Sequence, residues 1–243
     1  ENIIVNKLPA KTWYWLNLND TKVAWDSEVT PCSITTDGYV DAFYDAQSND
    51  YADISASVKT GAGEAADVLF AADNIKSLVI NADKNADNKV IYVNVDDSAA
   101  EDKKVNQAGK LVVNAEDDVT FTIIETFKGT EGVAGNTAFR TLIDAGKNSH
   151  VKLVQVFLQP KEQDVLSDIG SRCADEAGFE LVQLFLGEGS LYDGIRTDLK
   201  GNKSEFICNI GYFGVDKQNI DINLISNHIG KKTNCEIGVD GSL

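Results

Sequence analysis

Four cysteines and two histidines carry the thiol and imidazole chemistry of this chain. Cys32, Cys173, Cys208 and Cys235 lie far apart and form no Cys-x-x-Cys pair. His228 precedes Cys235 across a Gly-Lys-Lys turn, so the two can approach on adjacent turns; thiolate and imidazole together suit iron. Against that stands the tendency of Cys to be buried as a small hydrophobe. A His capping a turn beside a core Cys is the expected arrangement. Cys208-Asn-Ile-Gly211 returns 27 positions later as Cys235-Glu-Ile-Gly238, which predicts that the two thiols are in phase. Neighbouring strands about 4.8 Å apart could make them a ligand pair, but two buried thiols side by side is the expected outcome. Cys32 follows Pro31 in a loop, and Cys173 adjoins Arg172. His150 borders a strand and is expected to make a local hydrogen bond. On this reading no residue is catalytic, no metal ligand is assigned, and cofactor-binding residues remain unknown.

Acids offer a second chemistry. Asp168, Asp193, Asp198 and Asp221 could serve a polysaccharide lyase or hydrolase if they lined one groove, because such reactions use paired carboxylates. Scattered acids are also expected by chance in a chain of formal charge −16. Phosphate chemistry finds no support. Gly129-Thr-Glu-Gly-Val-Ala-Gly135 lacks the following Lys-Ser/Thr of a phosphate loop, and Gly146-Lys147-Asn148 also fails the pattern. The first of these reads as a flexible connection. There is no Gly-x-Ser-x-Gly elbow and no His-Glu-x-x-His.

The elements that must position these residues are strands. Short runs rich in Val, Ile and Leu recur from about Asp67 onward: Leu78–Ile80, Val90–Val95, Lys110–Val113, Val119–Ile124, Val151–Leu158, Phe179–Leu186, Phe206–Ile210 and Ile220–Ile225. Asp, Asn, Gly and Lys clusters separate them, which is the strand-and-turn signature. Leu153-Val-Gln-Val-Phe-Leu158 returns 28 positions later as Leu181-Val-Gln-Leu-Phe-Leu186. Repeats of this length mean stacked coils, each burying its apolar side on the next. Alternation stacks Val182, Leu184 and Leu186 on Val154, Val156 and Leu158, and the Cys208 and Cys235 strands are expected to continue that column. The opposite face, Leu153, Gln155 and Phe157, is too apolar to lie bare and calls for a covering segment or partner.

The predicted fold class is all-β dominated, a right-handed parallel β-helix core with a short helical or irregular amino-terminal segment. Residues 1–60 form that segment and residues 61–243 the core. A short helix is expected behind Leu8–Leu16, and a surface helix over Asp45–Val58 ended by Thr60-Gly-Ala-Gly63. The negative charge leaves no basic footprint for nucleic acid or anionic membrane. No run of about 18 apolar residues exists to span a bilayer. The start lacks the pattern of an export signal, so a cytoplasmic protein with reduced thiols is expected. The chain contains no Met.

Several segments resemble the SufB/SufD family. Leu8-Pro-Ala-Lys-Thr-Trp-Tyr-Trp-Leu-Asn17 is similar to the amino-terminal segment of its SufD branch. Leu199-Lys-Gly201, Gly211-Tyr212, Gln218-Asn-Ile-Asp221 and His228-Ile-Gly-Lys-Lys-Thr233 resemble the common core in order and spacing. The resemblance implies a non-catalytic scaffold subunit of the SUF iron–sulfur cluster assembly complex, not an enzyme. It implies SufB-like partners and a SufC-like ATPase partner, with self-association also possible. It further implies that a cluster is held transiently in the assembled complex, and none in this chain. The family continues beyond Gly241-Ser-Leu243 into more β-helix and a helical end carrying the SufC-docking surface and a Cys/His motif. Those features are not placed on this sequence. Two other readings stay open: the lyase or hydrolase, and a β-helix interaction module without cluster chemistry.

Overall fold

A computed structural model describes residues 2–8, 16, 19–25, 28–38, 42–44, 52–71, 75, 77–98 and 104–242. Before the repeat come five short strands, β1 (Asn2–Val5), β2 (Thr21–Ala24), β3 (Thr30–Pro31), β4 (Ser33–Asp37) and β5 (Ala42–Tyr44), and two short helices, α1 (Ala52–Ser57) and α2 (Asp67–Phe70). The expected Asp45–Val58 helix is described only over α1, which stops before Gly61 as predicted. The helix expected behind Leu8–Leu16 falls mostly outside the described residues.

Twelve strands then alternate between two parallel sheets, so each coil contributes one strand to each. The first sheet stacks β6 (Ser77–Ala82), β8 (Lys104–Ala115), β10 (Ala134–Ala145), β12 (Gln163–Cys173), β14 (Leu191–Leu199) and β16 (Ile220–His228). The second stacks β7 (Val90–Asp96), β9 (Thr120–Lys128), β11 (His150–Leu158), β13 (Gly178–Phe185), β15 (Glu205–Phe213) and β17 (Asn234–Ser242). β5 and β4 close the amino-terminal edges of the two sheets by antiparallel pairing with β6 and β7. The β-helix expectation holds, and the repeat is its coil.

One corner of the coil shows how the register is set. Asn88, Asp118, Asn148, Glu176, Lys203 and Lys232 all take positive φ, between 55° and 61°, at equivalent turns. Asn and Asp tolerate this left-handed conformation best among side-chain-bearing residues. Beside them, side chains reach one coil onward. Asp87 accepts from the Thr120 amide at 2.9 Å, Asp117 from Lys147 at 2.7 Å, Asp175 from Asn202 at 2.6 Å, and Asn202 from Lys231 at 3.0 Å. Each coil therefore fixes the height of the next.

Inside, the two sheets press their inward rows together. Phe127 stacks on Phe157 with ring centroids 4.7 Å apart, and Phe157 meets Phe185 edge-on at 5.1 Å. Leu153, Gln155 and Phe157 point inward, in register with Leu181, Gln183 and Phe185. This reverses the sequence expectation: Val154, Val156 and Leu158 face outward, and Leu158, Leu184 and Leu186 are exposed. Both rows are apolar enough to be buried, so a period of two could not choose between them. The covering segment expected over Leu153, Gln155 and Phe157 is the opposite sheet of the same coils.

The Cys-x-Ile-Gly echo is also corrected. Cys208 and Ile210 continue the inward row of Leu181 and Gln183. Cys235, however, pairs with Phe206, and Cys208 pairs with Ile237. The last coil is two residues longer than the letter match suggests, which keeps the face but shifts the thiol by one inward position. The glycine-rich stretch 129–135 is not a linker either. Its backbone forms a tight turn, with the Val133 amide bonded to the Thr130 carbonyl at 3.1 Å, and Gly135 sits within β10 at φ 145° against the Val105 backbone. The coils run through it without a break.

The amino-terminal segment covers the outside of the first sheet. Ile3, Val5, Val23, Trp25, Leu69 and Phe70 form a second core with Ala108, Ala138, Leu166 and Tyr192. Ile54 and Val58 pack on Val79, Val112 and Leu142. The chain at 61–62 lies directly on β14. A Cβ on Gly194 would fall 2.1 Å from the Ala62 nitrogen, and one on Gly61 would fall 2.1 Å from the Ile195 nitrogen. Only two glycines permit this approach of backbone to backbone.

Candidate functional site

Among the described residues the solenoid interior is mostly apolar, with the buried polar pairs Gln107–Thr137 and Ser171–Thr197 and one longer file of polar side chains. Alternation places Glu125 on β9, Gln155 on β11 and Gln183 on β13 in one inward row. Across from them, β10 supplies Thr141, β12 supplies Ser167 and β14 supplies Asp193, all fully or almost fully buried. Thr141 Oγ1 donates to Glu125 Oε1 at 2.9 Å, and Gln155 Nε2 donates to Glu125 Oε2 at 2.7 Å. Gln183 Nε2 donates to Gln155 Oε1 at 2.8 Å. Burial pushes the Glu125 carboxyl up to about 7, and these hydrogen bonds hold it back. Burial likewise pushes Asp193 up to about 7. The repeated Val-Gln signal marked both glutamines, but sequence alone placed neither them nor Glu125 and Thr141 inside.

The candidate carboxylates are not brought together. Asp193 is inside. Asp168 is outside, buried beneath the amino-terminal segment, where it accepts from the Ala62 amide at 2.9 Å and from Arg140 Nε at 2.8 Å. Arg140 also bonds Asp67 at 2.7 Å and lies 4.2 Å from the Phe70 ring centroid. Asp198 pairs with Arg196 at 3.1 Å and accepts from Asn227 at 2.6 Å. Asp221 accepts from Asn6 at 2.9 Å and from Thr21. Asp168, Asp198 and Asp221 are engaged in holding the fold, Asp193 faces the interior, and the four do not line one groove, which removes the basis for the lyase reading.

The thiols are equally committed to packing. Burial pushes Cys173 and Cys208 up to about 12, and pushes Cys32 up as well. Their thiols are therefore protonated near neutral pH. Cys235 is half-buried against the core end. His228 Nδ1 lies 2.7 Å from Thr233 Oγ1, the turn-capping arrangement. Gly178 lies under His150, so that a Cβ there would fall 2.6 Å from Nδ1. Among the described residues, no group of three or more His, Cys, Asp or Glu is placed to hold a metal ion. We expect iodoacetamide to leave Cys173 and Cys208 unmodified in the folded protein and to label both after unfolding. Labelling of either in the native state would contradict this.

A cleft of about 520 Å³ opens between three turns at the other corner, around Gly132, Pro160 and Gly187. Leu158 and Leu186 give it an apolar floor, and Glu131, Glu162 and Glu188 give it negative charge. Its one lysine, Lys161, is paired with Asp216 at 2.5 Å. No thiol, imidazole or hydroxyl nucleophile lines it. Geometry here suits contact with another surface better than bond-making chemistry.

No helix among the described residues is long and apolar enough to cross a membrane. A comparison with protein families matches residues 93–242 to the SUF system FeS cluster assembly, SufBD core domain. The matched span begins inside β7 and ends with β17, so it covers the stacked coils from β8 onward and leaves out β6. No curated protein and no solved structure matches the chain.

Proposed function

Because this chain belongs to the SufBD core family of the SUF iron–sulfur assembly system, we propose that it is a non-catalytic scaffold subunit of that system, working with a SufB-like subunit and a SufC-like ATPase. The observation that carries the reading is that the family match spans the stacked strands from β8 to β17. Two further observations support it. The candidate carboxylates and thiols are spent on packing, and the coil register is fixed by the corner ladder, which suits a part that positions others. Assignment to the SufD branch rests on the Leu8–Asn17 segment, which lies before the matched residues. Cytoplasmic location follows from the same assignment.

An iron–sulfur cluster enters this reading as cargo of the assembled complex. The chain alone is proposed to hold none. Co-expression with SufB-like and SufC-like partners is expected to give one complex that survives affinity purification and gel filtration. Anaerobic iron and sulfide reconstitution should produce cluster absorbance in that complex and none in the isolated chain. A chain that binds neither partner would overturn the proposal. A complex that forms but never acquires a cluster would favour a β-helix interaction module without cluster chemistry.

A further inference from the structure

The interior file of polar side chains has a direction. Gln183 donates to Gln155, and Gln155 donates to Glu125. Thr141 donates to Glu125 as well, so that both carboxyl oxygens of Glu125 are served. An acceptor-only group with two donors is the arrangement an ionised carboxylate needs. At the far end the same direction leaves only acceptors. Oε1 of Gln183 and both oxygens of Asp193 are buried and meet no donor among the described residues. Ser167 and Gln183 lie against Asp193 and partly offset the effect of its burial, but neither makes a direct hydrogen bond to its oxygens; one N–H of the Gln183 amide goes to Gln155, and the Ser167 hydroxyl is 3.4 Å from the same Gln155 oxygen. Buried acceptors without a donor carry their full desolvation cost. The end of the file is therefore short of one proton.

We infer that Asp193 is the protonated member of a carboxylic acid and carboxylate pair inside the solenoid. Its hydroxyl supplies the donor missing at Gln183 Oε1, and Glu125 carries the charge. Turning both amides over would reverse every bond and require the proton on Glu125 instead. The two amides thus connect the two carboxyls through one file of hydrogen bonds, whose direction matches one proton on the Asp193 side. Proton and charge stay within the file, so no outside reactant is needed. The assignment stands apart from the proposed role in cluster assembly.

The surroundings are compatible with it. Around Asp193, β12 and β16 contribute Asp168 and Asp221, both turned to the outer face, and β15 contributes the Cys208 thiol across the interior. Glu125 meets Val93 on β7, Gln155 on β11 and Thr141 on β10, none of them titratable. The nearby Lys110 of β8 points outward to the Phe70 carbonyl. Burial drives both carboxyls up to about 7, and the two direct hydrogen bonds at Glu125 favour its ionised form. A raised carboxyl favours folding most strongly below its unfolded value of about 4, and that contribution is lost as pH rises through about 7.

Infrared spectroscopy tests the assignment directly. At about pH 7 ordinary carboxyls are ionised, so the folded protein should show a weak carbonyl band of a buried protonated acid. Carbon-13 labelling of aspartate side chains should shift that band, and labelling of glutamate should leave it in place. Asp193→Asn should abolish it while supplying an amide donor to Gln183, and should flatten the fall in urea midpoint between about pH 4 and about pH 7. A native protein with no such band overturns the inference, as does a band that follows the glutamate label or survives in D193N. The labelling result decides the matter even if D193N does not fold.

Discussion

Phe157→Ala should lower the free energy of unfolding by about 3–5 kcal/mol, the range for deleting a fully buried aromatic ring. Phe157 is completely buried at the middle of the inward ring column, stacked on Phe127 and edge-on to Phe185. Its removal opens a void shared by three coils, and the corner ladder prevents the coils from moving together to close it. Part of the loss comes from two ring–ring contacts, each worth about 0.5–1.5 kcal/mol beyond burial. Urea denaturation followed by intrinsic fluorescence measures the change. A loss below about 1 kcal/mol would mean that the column relaxes and that the rings do not stabilise the stack as described. Leu158→Ala, at an exposed outward position of the same strand, should stay within about 0.5 kcal/mol of the parent.

Gly194→Val should be nearly as damaging by another route. The new side chain would enter the backbone of Gly61 and Ala62, and backbone on both sides cannot swing away as a side chain could. Overpacking of this kind costs about 1–3 kcal/mol. Displacing residues 61–62 would also break two bonds: the Ala62 amide to Asp168, and Asn223 Nδ2 to the Gly61 carbonyl at 3.0 Å. Asp168 would then lose its backbone donor in a buried site, which adds to the loss. The expected result is a total loss of about 3 kcal/mol or more, with new proteolytic cleavage between 52 and 71 while the coils resist. Gly194→Ala should show the same cleavage in weaker form. Unchanged proteolysis in both variants would show that the segment does not bear on β14.

The coil was legible in the sequence because stacking demands similar side chains at one height, and Leu-Val-Gln-x-Phe-Leu occurs twice. Which row points inward was not legible. Val154 and Leu153 are equally apolar letters, and what decides is closure of the coil, a property of the turns. The misplaced Cys235 has the same origin: letters were aligned across a turn that is two residues longer in space than in the match. β10 and β12 escaped notice because half of their residues are polar or small. Their outward sides pack under the amino-terminal segment or pair with it, as Arg140 and Asp168 do. The candidate acids could be listed but not sorted, since a buried Asp paired with Arg140 and one inside the solenoid look identical in a sequence. The interior file was half visible, through two glutamines repeated at one register position.

The amino-terminal cover also has a meaning in time. A chain leaves the ribosome from its first residue, and domains settle as their parts emerge. Asn6 waits for Asp221, 215 positions away, and Gly61 waits for Asn223. Coils can stack one upon another as they are made, since each needs only its predecessor. The residues made before the coils, including Asn6 and Gly61 beside the apolar Ile3, Val5 and Trp25, find their last anchors only when β16 exists. While the coils are being made this covering segment is thus the latest to be secured, and the interval before β16 forms is when it is most open to chaperones, proteases and wrong partners.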